Sequence, residues 1–442
     1  MDWETVVPKH ELNYIMGNPP FVGARIMSAA QKEDLNSVFG NWKNAGNLDY
    51  VSCWYKKAVD LVTGTNMRAA LVSTNSVTQG EAVAILWKPI FESGVHIDFA
   101  HRTFRWDSEA TVKAHVHCVI VGFSVAPNHA PKLLFTGDRL QIAANINAYL
   151  VNAEDAFVES RNKPICDVPN IGIGNKPIDG GNYLFEEEEM REFLKKEPSA
   201  QSWFKPWYGS QEFINRKPRY CLWLGDCSPN ELRKMPECMK RVEAVQQFRL
   251  SSSSAGTVKL ADKPTHFHVE NMPDSNYILF PKVSSERRRY VPIGFMTPDT
   301  LCSDLVFIVP NATLYHFAIL TSNVHMSWMR AVCGRLKSDY RYSKDIVYNN
   351  FPWPDPTDAQ KAKIEVTAQE ILDARALYPD SSLADLYDEV AMPPELRRAH
   401  QHNDKAVMQA YGFPIKDFAE SDCVAALMKL YQEKIAEIGA GK

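Results

Sequence analysis

The sequence predicts an α/β fold: half of an open Rossmann-like sheet, then an α+β region and a small helical C-terminal part. Three observations predict it. Between residues 12 and 91, short apolar runs alternate with segments of helical period, which is the order of parallel α/β units. Two longer runs, 95–106 and 115–123, lie close enough to form an antiparallel hairpin. After residue 182 the pattern shifts to short β-like runs with scattered helices, and from residue 358 a helical period returns. The boundaries are expected at 1–150, 151–355 and 356–442, and a chain of 442 residues has room for two or three domains.

Taken in order, Leu12–Met16 reads as a short buried strand, and Gly17 reads as the residue that lets the chain turn out of it. Ser28–Val38 reads as a helix capped by Ser28. Leu48, Val51, Trp54, Tyr55, Ala58, Val59 and Val62 recur at helical spacing and predict an amphipathic helix over 48–62. Met67–Ser73 is a second buried strand, running into Thr74-Asn75-Ser76, with a helix over Gly80–Phe91. Val95–Trp106 and His115–Phe123 are the hairpin strands, joined by a polar loop at 107–113. Asn18, Asn75 and the stretch after Phe104 therefore all fall at strand ends, where open α/β sheets bind ligands.

Residues 170–181 are glycine-rich and read as a boundary or long loop. A phosphate cradle is the functional alternative, but no clean strand leads in and no helix follows at once. Further on, a helix is expected over Glu186–Lys196. Strands are expected over Tyr220–Leu224, Tyr277–Phe280, Tyr290–Ile293 and Leu305–Val309. Ser251–Ser254 reads as an exposed loop, and Ala312–Cys333 as one buried helix. Helices fill Asp358–Ala376 and much of Leu383–Ile438.

Composition narrows the function. No apolar run reaches the roughly 18 residues of a membrane span, and no basic-then-apolar segment opens the chain, so a cytoplasmic protein is expected. Nine scattered cysteines without a C-x-x-C pair agree with reduced thiols. Cys221, Cys227 and Cys238 with His266 and His268 fit no usual zinc spacing, so no metal is expected. The net charge of −4 counts mildly against nucleic acid. Yet basic clusters stand at 216–219, 287–289 and 330–344, and the distribution of charge matters more than its sum.

The stretch that carries chemistry is Gly17-Asn18-Pro19-Pro20-Phe21. An ordinary strand exit with a Pro-Pro stop has the same look. The chemical reading is more specific. Two prolines hold the next atoms rigid. Asn18 and Pro19 then point a side-chain and a backbone carbonyl at one amino group, and Phe21 offers a ring on which a planar base stacks. Acceptors fixed where positive charge develops assist attack of that nitrogen on a methyl donor.

Met16–Phe21, Leu48-Asp49-Tyr50 with Trp54-Tyr55, Ser73–Ser76 with Gln79-Gly80, and Phe99–Trp106 resemble, in order, the later motifs of gamma-class amino-methyltransferases. Pro281–Arg288 and Gly334–Ser343 resemble the target-recognition domain of the MmeI-like (type IIG/IIL) restriction-modification enzymes. The resemblance covers essentially the whole chain. It implies methylation of the adenine 6-amino group in duplex DNA, with S-adenosylmethionine as donor and the target base flipped out of the helix. It implies that Asn18 and Pro19 receive the amine and that Pro20 stiffens the clamp. Phe21 then stacks on the base, Phe104 with Trp106 behind it covers the opposite face, and Asp49 touches the cofactor. Lys337 and Asp339 suit one G·C pair, since lysine donates to guanine and aspartate accepts from cytosine. Lys282 with Asp304, and Arg341, are further base readers. Arg287, Arg288, Arg289, Arg335 and Lys344 are expected on phosphates.

The family's cofactor loop, acidic-Pro-x-Cys-Gly-x-Gly, is not found upstream of the clamp. The chain is therefore expected to be the C-terminal half of such an enzyme and inactive alone. An N-terminal half or partner chain would supply the cofactor loop and a nuclease, and the exposed edge of the first strand is expected to pair either with that partner or with a second copy of the chain. Two alternatives stay open: a DNA-specificity subunit without catalysis, and a protein or RNA amino-methyltransferase.

Overall fold

The structure, a computed structural model, describes residues 6–107 and 115–440. Most of the loop predicted at 107–113 lies outside them. The chain packs as two units. One comprises Met1–Cys166, Ser327–Pro354 and Phe413–Lys442, and the other Asp167–Met326 and Asp355–Gly412.

The first unit is built on a six-stranded sheet. Its strands are β1 (Tyr14–Gly17), β2 (Arg68–Thr74), β3 (His96–Asp107), β4 (His115–Ser124), β5 (Lys132–Thr136) and β6 (Arg139–Ala143), in the spatial order β1-β2-β4-β3-β5-β6. β1 runs parallel to β2. β4 is antiparallel to both β2 and β3 and lies between them. β3 therefore runs the same way as β1 and β2, and the predicted hairpin is present. β5 and β6 were not predicted. β6 is an edge strand with Leu140 and Ile142 exposed, so it lacks the alternation that marks a half-buried strand.

Three helices connect the first strands: α1 (Ala29–Phe39), α2 (Ser52–Val62) and α3 (Glu81–Glu92). Ser28 caps α1 as predicted. Its hydroxyl accepts the Gln31 N–H, and the Gln31 side chain accepts the Ser28 N–H. α2 begins four residues later than its apolar spacing suggests. Leu48 instead closes a short 3-10 turn over Ala45–Asn47, which leaves Asp49 and Tyr50 ahead of the helix. Leu48 and Val51 are fully buried and pin this turn. The helix Glu420–Ala440 also belongs to this unit. Its Tyr431 ring packs 5.8 Å from Trp328.

Two readings of the first strand need correction. β1 is not buried: Tyr14 is 69% exposed and Met16 83%, because no strand covers its outer edge among the described residues. Gly17 does not turn the chain out of the strand. It is the last paired residue, opposite Leu71, and an added Cβ would lie 3.2 Å from Leu71 Cδ2. A larger residue there would press on the Leu71 side chain, which would have to shift by a few tenths of an ångström.

The second unit holds two four-stranded sheets. One runs Leu301–Cys302, Phe204–Tyr208, Arg219–Leu222, Leu184–Phe185, and the other Gly294–Met296, Tyr277–Pro281, Val306–Pro310, Gly172–Ile173. Tyr290–Ile293 is not a strand. The Tyr290 ring stacks on His400 at 4.1 Å and its hydroxyl donates to Asp404 at 2.6 Å, so the pairing begins at Gly294. The predicted helix over 312–333 is two helices, Leu314–Leu320 and Asn323–Val332. They break at Thr321-Ser322, where the Ser322 hydroxyl turns back onto the Ile319 carbonyl at 2.7 Å.

The glycine-rich segment is not a phosphate cradle. A Cβ on Gly174 would lie 2.3 Å from the Ser303 carbonyl oxygen, so its face is filled by a neighbouring backbone. Gly180 and Gly181 take left-handed conformations in a turn where Asp179 accepts the N–H groups of Gly181 and Tyr183. Cys221 and Cys238 lie in an apolar core with Trp207 and Trp223, Cys227 packs at its margin, and His266 pairs with Glu270. No group of metal-ligating side chains occurs among the described residues. Helices Asp358–Ala376 and Pro394–Ala410 complete this unit, joined by a buried Thr367–Asn403 hydrogen bond of 3.1 Å.

Candidate active site and recognition hairpin

Because β1, β2 and β3 run in one direction, Gly17, Thr74 and Asp107 end at the same edge of the first unit's sheet. The clamp leaves this edge. Pro19 is buried and anchors it, Asn18 and Pro20 are exposed, and Phe21 is half-buried. Among the described residues, no hydrogen bond within the chain engages the Asn18 side chain or the Pro19 carbonyl. Two acceptors thus stand on a backbone whose φ is fixed at consecutive prolines. They can receive the two hydrogens of one amino group.

The loop behind the clamp is tied down. Asp49 Oδ1 accepts the Ala24 N–H at 2.9 Å, and Oδ2 accepts the Ser76 hydroxyl at 2.6 Å. The next residue, Tyr50, donates its N–H to the Val22 carbonyl at 2.9 Å, and its hydroxyl donates to Asp34 on α1 at 2.7 Å. That hydrogen bond to Asp34 pushes the Tyr50 hydroxyl up to about 12. Asp49, expected on the cofactor, thus has both oxygens on groups of its own chain.

Phe104 lies on β3 just after a register shift between His101 and Phe104. Such bulges re-aim the side chains beyond them. Phe104 and Trp106 follow it on one face, with rings 6.2 Å apart, and Trp106 is 43% exposed.

A hairpin rises from the same unit. Gly334–Leu336 pairs with Asp339–Arg341, with Leu336 opposite Asp339, so Lys337 and Ser338 form the tip. Lys337 has φ +57°, a left-handed conformation that lysine seldom adopts. On one face the Arg335 guanidinium lies 3.8 Å from the Tyr340 ring centre and donates to the Ser338 carbonyl at 2.9 Å. The other face carries Leu336, Asp339 and Arg341, with Leu336 and Arg341 exposed. The root of the hairpin is fixed to the sheet. The Gly80 N–H, at the start of α3 after the 3-10 turn Asn75–Thr78 that follows β2, donates to the Val332 carbonyl at 3.1 Å, and a Cβ on Gly80 would lie 3.6 Å from the Gly334 backbone. The hairpin and the clamp therefore leave one sheet edge.

Three family models match the chain in succession. They are the MmeI DNA-methyltransferase domain over residues 1–136, the MmeI target recognition domain over 152–355 and the MmeI C-terminal domain over 356–439. The chain belongs to the MmeI family. A MmeI type IIL restriction-modification enzyme solved in complex with DNA is 43% identical, with a TM-score of 0.90 over 99% of this chain and 59% of that one. DNA methyltransferase A of Bacillus subtilis is 40% identical over 98% of this chain. The chain spans about half the length of that curated relative, 49%.

Within the segment matched to the MmeI target recognition domain, Pro281 pairs with Val306. Lys282 stands one residue beyond that pair and Asp304 two residues before it, so the two lie at one end of the same strand pair. The Lys282 ammonium sits 4.8 Å from the Phe307 ring centre. Arg287 and Arg289 are exposed and Arg288 is half-buried, with Arg289 5.6 Å from the Tyr290 ring centre. Arg335 is engaged inside its hairpin, and Lys344 pairs with Asp345 at 2.6 Å. Both therefore have partners within the chain that compete with a phosphate. The MmeI motifs did not point to the brace around Asp49 or to the Gly80 root. Asp49, Ser76 and Gly80 stand within the motifs quoted above, but no local signal gives the brace or the root, whose partners lie far off along the chain.

Proposed function

We propose that this chain is the clamp and target-recognition part of a site-specific DNA adenine-N6 methyltransferase in a restriction-modification system. The observation that carries the reading is the clamp itself: two acceptors without a hydrogen-bond partner among the described residues, on a proline-locked loop, at the sheet edge from which the hairpin also rises. Asn18 Oδ1 and the Pro19 carbonyl accept the two N–H groups of a flipped adenine, Pro20 holds the loop, and Phe21 stacks on the base with Phe104 opposite. As positive charge develops on the amine nitrogen these carbonyls stabilise it, and the stacked rings exclude water. S-adenosylmethionine is the proposed donor and supplies an electrophilic methyl group. Asp49 already holds two groups of its own chain, and no residue of this chain is assigned a contact with the donor.

Duplex DNA is the proposed partner, in the cytoplasm. Lys337, Asp339 and Arg341 on the hairpin, and Lys282 with Asp304, read bases. Arg287, Arg288 and Arg289, with Arg335 and Lys344 where their inner pairs open, meet phosphates. The domains follow as 1–150, 151–355 and 356–442. The open edge of β1 supports a second partner, an N-terminal half that adds strands and the cofactor loop. Asn18→Ala in the reassembled enzyme tests the reading. Methyl transfer is expected to fall by at least about 100-fold, as for loss of a donor or acceptor aimed at developing charge, while DNA affinity stays within about threefold. Full activity of that variant would overturn it. The same open edge favours a second reading, a specificity subunit without catalysis, in which the variant changes nothing measurable.

A further inference from the structure

We infer that Asp49 is a positioning residue that sets the aperture of the clamp from behind, not a contact of the methyl donor. The inference rests on the clamp reading for its consequence, but its geometry stands alone. A carboxylate only accepts hydrogen bonds. Asp49 accepts from two different elements, the Ala24 N–H three residues past Phe21 and the Ser76 hydroxyl just past β2.

The proton inventory gives the brace a direction. The Ser76 hydroxyl has one hydrogen, and it goes to Asp49 Oδ2. The 2.8 Å contact between Thr74 Oγ1 and Ser76 Oγ is then donated by Thr74. A chain of donors runs from Thr74 through Ser76 to the carboxylate, and the Ala24 N–H meets it from the other side. Charge on the final acceptor strengthens every link. Tyr50 adds a second tie one residue along, to the Val22 carbonyl. The four residues Phe21–Ala24 are thus held at Val22 and Ala24 by two consecutive residues. Those residues are pinned by the fully buried Leu48 and Val51.

A clamp that must place two acceptors on one amine needs its exit as fixed as its entry. The pairing of Gly17 with Leu71 at the end of β1 fixes the entry, and Asp49 fixes the exit. Asparagine at this position keeps the pattern: its carbonyl accepts the Ala24 N–H and its amide donates to Ser76. Alanine keeps neither.

The test compares Asp49→Ala, Asp49→Asn and Ser76→Ala in the full chain. Amide hydrogen exchange is followed over residues 20–27. Exchange there is expected to rise about tenfold in Asp49→Ala, the size of one lost charge-assisted hydrogen bond, and to return to within about threefold of wild type in Asp49→Asn. Ser76→Ala falls between them. Exchange in the remaining sheet strands should not move. Unchanged exchange over 20–27, or a rise throughout the unit, would overturn the inference.

Two further measurements set Asp49 against its alternatives. S-adenosylmethionine affinity of the reassembled enzyme should match wild type in Asp49→Ala, and a matching loss of affinity would make the residue a cofactor contact. With 2-aminopurine at the target position, Asp49→Ala should lose most of the fluorescence change of base extrusion while DNA affinity holds, and Asp49→Asn should recover it. Wild type giving no such change sinks the methylation reading, while the exchange measurement still decides Asp49.

Discussion

At the residue scale, the proposed chemistry uses groups that make no hydrogen bond within the chain among the described residues, and stability uses groups fully enclosed. Asn18 is of the first kind. His325 is of the second: it is fully buried, and burial pushes its imidazole down to about 3. Its ordinary value is near 6.5. As pH falls below about 6.5 the unfolded chain takes up a proton that the folded chain refuses. Stability is therefore complete above that value and is lost as pH drops toward 3, by up to about 1.4 kcal/mol per pH unit. His316, lowered to about 4 by burial and Lys361, and His400, lowered by burial and by Arg375 and Arg289, act with the same sign. Urea denaturation at pH 7.5, 5.5 and 4.5 checks this. His325→Gln should be less stable at pH 7.5 and should show a shallower loss with acid, by about 1 kcal/mol per pH unit.

At the element scale, the hairpin over 334–341 combines a stiff frame with a strained tip. The Arg335–Tyr340 contact and the bond from Arg335 to the Ser338 carbonyl stiffen one face. Lys337 holds a left-handed backbone at a cost of about 1 kcal/mol. A glycine would adopt that conformation freely, so the lysine is costly there, which agrees with the proposed role of its side chain in base reading. Lys337→Gly is expected to raise stability by up to about 1 kcal/mol and to weaken discrimination at one base pair of the DNA site. Thermal denaturation and competition binding with substituted duplexes measure the two effects. Lys337→Glu with Asp339→Arg should reverse preference at that pair, shifting it by about 1–3 kcal/mol. A variant pair that keeps the original preference would remove these residues from base reading.

At the scale of the whole molecule, the two packing units do not follow the linear order of the family segments. The hairpin and the last helix return to the sheet unit, while helices Asp358–Ala376 and Pro394–Ala410 pack with the recognition strands. The sheet ends at β1 with Tyr14 and Met16 exposed along an unpaired edge among the described residues. If an N-terminal half completes the cofactor pocket, calorimetry of the chain alone should detect no S-adenosylmethionine binding at concentrations where the reassembled enzyme saturates. Binding by the chain alone, with affinity equal to the reassembled enzyme, would refute that division.

Much of this was readable in the linear order of residues, for local reasons. Apolar spacing located β1 to β4 and α1 to α3 within a few residues. Ser28 three residues before Gln31 identified its own cap. Two consecutive prolines after Gly-Asn marked the clamp, because fixed φ and a missing N–H are properties of proline itself. Other features were settled only by tertiary contact. Leu12–Met16 has the composition of a buried strand, but burial depends on what lies beside it. Tyr290–Ile293 has the composition of a strand, but a stacked His400 and a distant Asp404 pull Tyr290 away from pairing. Asp49 sits beside the amphipathic run of α2 with nothing local to show its task, since its partners Ala24 and Ser76 are 25 and 27 residues away. The sequence by itself determined β1 to β4, α1 to α3 and the stiffness of the proline loop, which depend on backbone preferences acting over a few residues. The tertiary structure decided which side chains are enclosed, which are braced and which face outward, because hydrogen bonds and burial join residues that the chain keeps far apart.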